Sequence, residues 1–157
     1  MIHVASTSPA EGAMAELEPL AGAWRVEGTA YGDGQSVEDP LASAAPWTSD
    51  ETYTWMPGCR FLLHQWDAAV GRQPFHGTEI LGHDEDLGFF AELFDDQGHH
   101  RTYRVAHEGS IWTFSEPATR AAITVAPDGE RLDIVWQWKN GGTEWLPLCD
   151  RVALRTA

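Results

Sequence analysis

From residue 22 onward, hydrophobic and polar residues alternate along most of the chain with a period of two. A period of two is typical of extended strands, in which successive side chains point to opposite faces of a sheet. The pattern predicts about ten strands, over residues 24–31, 51–56, 59–67, 75–83, 89–94, 100–107, 111–114, 120–125, 132–139 and 144–154.

The segments between these strands are short and rich in glycine, proline, aspartate and asparagine, which are the residues that favour tight turns. Connections this short leave no room for the crossover helices of a parallel sheet. A flat antiparallel sheet of ten strands would expose two edges, whereas a closed barrel exposes none. We therefore predict an all-β fold, a single antiparallel up-and-down barrel.

One helix precedes the strands. Ser8, Pro9 and Glu11 match a capping box with proline at the first helical position, which predicts a short helix over residues 9–17 that covers one end of the barrel. The predicted organisation is one domain over residues 1–157, with a flexible N-terminus at 1–8 and the barrel at 22–155. Residues 33–47 form a long irregular segment, either a lid loop or a surface excursion.

Several short motifs, in order, resemble a known family. They are Leu17-x-x-Leu20-x-Gly22-x-Trp24-x-x-x-Gly28, Pro57-Gly58-x-x-Phe61-Leu62, Gly71 with Gly77, Leu81-Gly82-His83-Asp84, Phe94-Asp95-x-x-Gly98, Trp112-x-Phe114 and Trp145-x-Pro147. Together they resemble the DUF1579 family and its calycin-like relatives over residues 17–155. The resemblance implies a lipocalin-like barrel with a central cavity, and it implies no particular reaction.

The related nitrobindin-like barrels bind haem through a histidine that follows a Pro-Leu pair on the last strand. In this chain Pro147-Leu148 is followed by Cys149, Asp150 and Arg151, with no histidine. The resemblance therefore implies no haem ligation of this type. We expect no cofactor.

Composition narrows the possible partners. The formal net charge of −14 argues against nucleic acid and against an anionic membrane surface, because both require clusters of Lys and Arg. The sequence has no signal-peptide pattern, no apolar run long enough to span a membrane and only two cysteines. We expect a cytoplasmic protein, either a monomer or a homodimer.

Eight tryptophans in 157 residues favour a cavity that binds a small hydrophobic or aromatic molecule. Tyr103 and Arg120 add polar groups, Arg120 as a partner for a carboxylate or for an anionic ligand. The candidate ligand-binding residues are Trp24, Trp55, Trp66, Tyr103, Trp112, Arg120, Trp136 and Trp138. An interaction protein with aromatic residues in a dimer interface is a third, less favoured hypothesis.

The alternative function is a cofactor-independent enzyme doing acid/base chemistry, such as an isomerase, a cyclase or an eliminating lyase. His64 shares a strand face with Leu62 and Trp66, and an imidazole is the natural proton carrier near neutral pH. Glu79 and Glu92 on neighbouring strands are the other candidate catalytic residues. No zinc motif, nucleophile elbow or phosphate-binding loop occurs in the sequence, so we expect no metal site.

Overall fold

The computed structural model describes residues 8–9, 11–32 and 34–157. A 3₁₀ helix (Ala13–Leu20) leads into ten strands. They are β1 (Gly22–Ala30), β2 (Ala45–Trp55), β3 (Leu62–Val70), β4 (Gln73–Asp84), β5 (Gly88–Asp95), β6 (His100–Glu108), β7 (Ile111–Glu116), β8 (Thr119–Val125), β9 (Arg131–Trp138) and β10 (Leu146–Arg155).

The strands form one closed antiparallel barrel in which each strand pairs with its neighbours in sequence and β1 pairs with β10. The prediction of an all-β, up-and-down barrel with one short helix at its N-terminal side is confirmed. Two strands, β2 and β3, differ from their predicted bounds by at least three residues at one end or both. Strand β2 begins at Ala45, six residues early, and β3 begins at Leu62, because Cys59 has a positive φ of 55° in the turn after Pro57-Gly58.

The helix also differs from its prediction. It begins at Ala13 after Gly12, which has no side chain to cap it, so the predicted capping box does not start the helix. Part of that motif, Ala10, lies outside the described residues, as do residues 1–7 and 33. The helix continues through Pro19, its penultimate residue.

The helix packs against one end of the barrel. Leu17 and Leu20 are fully buried, and the indole N–H of Trp24 donates a 2.9 Å hydrogen bond to the Leu20 carbonyl. The indole N–H of Trp55 donates to Glu18 at 2.8 Å. We call this the closed end, and the opposite end, where residues 34–44, 71–72, 96–99, 117–118 and 139–145 connect the strands, the mouth.

The segment before β2 lies against the rim of the mouth. Gln35 accepts a 2.9 Å hydrogen bond from the indole of Trp138 and donates a 2.6 Å hydrogen bond to the carbonyl of Pro147. These bonds hold the described part of this segment against β9 and β10. No helix among the described residues is long and apolar enough to cross a membrane.

Candidate functional site

Strand register brings the inward side chains of three neighbouring strands into one row. His64 on β3 lies opposite Tyr53 on β2 and opposite Glu79 on β4. The rings of Tyr53 and His64 are stacked in parallel, with centroids 4.0 Å apart. All three side chains are buried in the barrel interior.

Both nitrogens of His64 are bonded to carboxylates. Nε2 donates to Glu51 Oε1 at 2.6 Å, and Nδ1 donates to Glu79 Oε1 at 3.1 Å. A carboxylate can only accept hydrogen bonds, and a neutral imidazole has only one N–H to donate. With both glutamates ionised, the two bonds together require the doubly protonated imidazolium form of His64.

The pKa values of this pair follow from the same contacts. Burial lowers the pKa of His64, but the hydrogen bonds and charges of Glu51 and Glu79 outweigh it and raise the pKa to about 9. Burial raises the pKa of Glu51, but the hydrogen bond from His64 and the charges of His64 and Arg151 outweigh it and lower the pKa to about 2. His64 and Glu51 are thus an ion pair at neutral pH.

Arg151 on β10 completes the cluster from the other side of Glu51. Its Nη1 donates to Glu51 Oε2 at 3.4 Å, and its guanidinium lies 4.3 Å from the centroid of the Trp47 ring. Ser49 also donates to Glu51, at 2.6 Å. Two cations, His64 and Arg151, therefore face two carboxylates, Glu51 and Glu79, and we call these four residues the ionic cluster.

A glycine makes room for the aromatic ring beside the cluster. The indole of Trp66 lies against the backbone of Gly77 on β4, and a Cβ at Gly77 would overlap that ring. Trp66 contacts His64 at 5.2 Å and Phe75 at 5.9 Å between centroids. The glycine allows a large flat ring to cover the ionic cluster on the side of the mouth.

The predicted aromatic residues fall into two groups. Trp24, Trp55 and Trp112 are buried at the closed end. Towards the mouth, Trp66 is buried beside His64, Tyr103 contacts Trp136 edge-to-face at 5.4 Å, and Trp138 lies partly buried on the rim. The two groups lie in opposite halves of the barrel, and the second group includes Trp66, which contacts His64.

Two predicted site residues lie on the outer wall instead. Glu92 points outward and binds His100 at 2.7 Å, because Phe89 and Ala91 occupy the buried face of β5. Arg120 points outward, where it bonds Gln137 and lies over the ring of Trp145. The structure therefore does not bring Glu92 or Arg120 to the interior cluster around His64.

The sequence interpretation did not select Glu51, Arg151 or Glu116, which all belong to the interior. A signal existed for Glu51, because Trp47, Ser49, Glu51, Tyr53 and Trp55 alternate on one face of β2. The aromatic residues at both ends of that face indicate that the polar residues between them are also buried.

Other ionisable groups lie on the outside. A surface groove of about 640 Å³ runs over β2 to β5, where His76 lies between Asp67 and Asp96 at 2.9 and 3.1 Å. Within the described residues, no group of three or more His, Cys, Asp or Glu side chains is arranged to hold a metal ion. The interior ionic cluster is therefore the strongest candidate site.

Comparison with known proteins supports the fold. No family model matches the sequence, and no curated protein matches it. The crystal structure of Rv2717c from M. tuberculosis is similar, with a TM-score of 0.70 and 14% sequence identity over 95% of this chain and 100% of that chain. The zebrafish ileal bile acid-binding protein complexed with cholic acid matches with a TM-score of only 0.41 and 10% identity, over 88% of this chain and 99% of that chain. The likeness to Rv2717c shows a shared fold, the closed antiparallel β-barrel.

Proposed function

We propose that the protein binds a small hydrophobic or aromatic molecule in the mouth half of the barrel. One observation carries this proposal. Among the described residues, four buried polar atoms on interior side chains have no hydrogen-bond partner, namely Trp66 Nε1, Glu79 Oε2, Glu116 Oε1 and Arg151 Nε. Buried polar atoms are normally paired, and leaving one unpaired costs free energy. A bound molecule that forms hydrogen bonds with some of these atoms would offset that cost.

The surroundings of these atoms suit such a ligand. Binding pockets combine aromatic walls with a few polar groups that fix orientation. Trp66, Tyr103 and Trp136 provide the aromatic walls, and Trp136 is only partly buried although it lies on an inward face. Membership of the DUF1579 family and a cytoplasmic location, both expected from the sequence, belong to the same proposal.

The first test uses 1-aminoanthracene, a fluorescent aromatic probe. We expect its emission to rise on binding, and we expect Trp136→Ala to weaken binding about three- to tenfold, because one aromatic contact contributes about 0.5–1.5 kcal/mol. Trp145→Ala is the matched control, since the Trp145 ring lies under Arg120 on the outer wall. Equal weakening by both substitutions, or no binding of any aromatic probe in a broad panel, would contradict the proposal.

A second candidate function is acid/base catalysis by His64 and Glu79, and the geometry of His64 favours it. Charged groups are costly to bury, and clusters with shifted pKa values are common in active sites. Because His64 holds both protons, it would act as a general acid at neutral pH. Glu79, whose Oε2 is unpaired, would act as the base. Glu92 has no role in this version.

The test of catalysis is a screen for isomerase and lyase activity followed by single substitutions. His64→Gln and Glu79→Gln should each lower kcat at least a hundredfold, the usual contribution of a general acid or base. Glu92→Gln should leave kcat unchanged, and activity of the wild-type protein should fall as the pH rises through about 9, where His64 loses its proton. Full activity in both interior variants would exclude this mechanism.

A further inference from the structure

The connection between β1 and β2 leaves the barrel and returns to it at neighbouring points. Ala30 at the end of β1 pairs with Ala45 at the start of β2, so the two ends of the connection lie side by side. The amide of Tyr31 anchors the first end, since it donates a 2.9 Å hydrogen bond to the carbonyl of Leu148. Long loops with adjacent ends are compact units that commonly carry function. We call residues 34–44 of this connection the mouth loop.

The mouth loop holds its own shape through bonds within itself. Among the described residues, its backbone-to-backbone hydrogen bonds all run inside the loop, from Ser36 to Asp39, from Ala42 to Asp39 and from Ala44 to Leu41, at 3.4, 3.3 and 3.2 Å. The hydroxyl of Ser36 also accepts a 3.0 Å hydrogen bond from the amide of Asp39. A loop with internal bonds and adjacent ends can move as one unit while the barrel stays intact.

The side chain of Gln35 fastens the mouth loop to the hairpin formed by β9 and β10. Its Nε2 donates a 2.6 Å hydrogen bond to the carbonyl of Pro147 and a 3.1 Å hydrogen bond to the carbonyl of Pro40 within the loop. Its Oε1 accepts from the indole N–H of Trp138 at 2.9 Å and from the side-chain amide of Asn140 at 3.3 Å. Both ends of the amide are therefore occupied, and one side chain joins the loop to two strands that lie beyond β1.

The ring held by Gln35 stands on the mouth side of the proposed binding region. Trp138 follows Trp136 on the same face of β9, and it is the last residue of that strand before the mouth. The Trp138 ring also lies beside Gly32, where a Cβ would crowd it. While Gln35 is bonded, the Trp138 ring is therefore fixed at the rim, between Trp136 and the turn that follows β9.

On the basis of the proposed binding function, we propose that the mouth loop is a lid and that Gln35 is its latch, whose release admits the ligand to the region around Trp136. Opening breaks the bonds from Gln35 to β9 and β10, whereas the bonds inside the loop and the pairing of its two ends remain. Each hydrogen bond contributes little net free energy, so the latch can release without unfolding the barrel. A lid that moves alike in the free and the bound protein changes binding rates and leaves affinity unchanged.

Stopped-flow fluorescence with 1-aminoanthracene measures both rates. Gln35→Ala should raise the association and dissociation rate constants about fivefold each, the equivalent of one net hydrogen bond, and leave Kd within about twofold. Gln97→Ala is the matched control, because Gln97 is an exposed glutamine in another turn at the mouth. Unchanged rates in Gln35→Ala would overturn the lid. Faster dissociation alone, with a matching loss of affinity, would make Gln35 a ligand contact and would also overturn it.

Proteolysis tests the latch without any ligand. Glutamyl endopeptidase can cleave after Glu38 when the mouth loop has left the barrel, so the cleavage rate follows the population of open loop. Gln35→Ala should speed this cleavage about fivefold, as should Trp138→Phe, which removes the indole N–H and keeps a ring, whereas Gln97→Ala should not. Mass spectrometry identifies the cleaved bond, and circular dichroism establishes that each variant is folded.

The two measurements separate failure of the lid from failure of the binding function. Equal cleavage of the wild-type protein and all three variants would overturn the latch, whether or not 1-aminoanthracene binds. Faster cleavage of Gln35→Ala, together with no binding of any aromatic probe, would retain the latch and overturn the proposed binding function.

Discussion

Replacing Glu51 with glutamine is expected to lower the free energy of unfolding by about 3–5 kcal/mol, the usual cost of removing one partner from a buried ion pair. Glu51 is 4% exposed and contacts both cations of the ionic cluster, His64 and Arg151. Glutamine has nearly the same shape as glutamate, so the substitution leaves no cavity and disturbs the packing little. The change therefore isolates the loss of one negative charge.

The two cations differ in how they can respond. His64 can release its proton when Glu51 is neutralised, and the bond to Glu79 then needs only one N–H. Arg151 cannot, because a guanidinium stays charged at any ordinary pH. The cost is thus expected to come mainly from a buried arginine that has lost its carboxylate.

Urea denaturation at pH 6 measures this effect, and the neighbouring residue provides the control. Asp50 is also on β2, but its side chain is 76% exposed and pairs with Arg25 on the surface. Asp50→Asn should change the free energy of unfolding by less than about 0.5 kcal/mol, as exposed ion pairs usually do. Similar stabilities for the Glu51 and Asp50 variants would show that the ionic cluster contributes no more than a surface pair.

The barrel was predictable because strand alternation and turn residues are local signals. Each strand from β4 to β9 was placed within about two residues, since its turns are marked by glycine, proline or aspartate. The start of β2 was missed because Ala45, Pro46 and Trp47 follow a Ser- and Ala-rich segment and show no alternation of their own. Their strand state depends on pairing with β1 and β3.

The direction of each face was harder to predict than the strands themselves. Strand β5 carries Phe89 and Phe90 directly after its first residue, so both of its faces are apolar at that point. Phe90 packs outside the barrel, near Phe61 and over Gly82. These three residues come from β5, from the turn before β3 and from β4. No local pattern distinguishes this outer aromatic cluster from a cavity wall, so the alternation of Phe90, Glu92 and Phe94 does not indicate which side of the wall Glu92 occupies.

The ionic cluster was only partly predictable for a related reason. His64 and Glu79 could be found because their strands are adjacent. Arg151 is 100 residues from Glu51 and meets it only because the barrel closes between β1 and β10. Gly28 on β1 leaves room for this approach, since a Cβ there would overlap the backbone of Asp150 and Arg151. Closure of the sheet is a global property that a sequence pattern does not report.

Stability should also depend on pH through His64, in a direction fixed by its pKa. The folded protein holds the His64 proton with a pKa of about 9, whereas the ordinary value is 6.5. The imidazolium therefore stabilises the fold fully below pH 6.5, and this contribution is lost as the pH rises from 6.5 to 9. At about 1.4 kcal/mol for each unit of pKa, the expected loss is about 3 kcal/mol.

Glu51 has the opposite behaviour at the acid end. Its pKa is about 2 in the folded protein against an ordinary value of 4.5, so its contribution is complete above pH 4.5 and is lost as the pH falls towards 2. Because His64 and Glu51 form one ion pair, the loss of stability at high pH and the loss at low pH both come from breaking this pair. The ionic cluster should stabilise the barrel most between about pH 4.5 and 6.5.

Urea denaturation of the wild-type protein and of His64→Gln at pH 6, 7.5 and 9 separates this contribution from other titrating groups. The stability difference between the two proteins should shrink with increasing pH, because the wild-type His64 loses its proton. The titratable and charged groups that surround His64 and Glu51 are present in both proteins, so their contributions largely cancel; they are Tyr53, Cys149, Glu79 and Arg151. His99→Gln, on the surface beside Asp95, should retain the wild-type pH dependence. A His64 imidazole that titrates near 6.5 by NMR, or a stability difference that is constant from pH 6 to 9, would mean that the two carboxylates do not hold its proton.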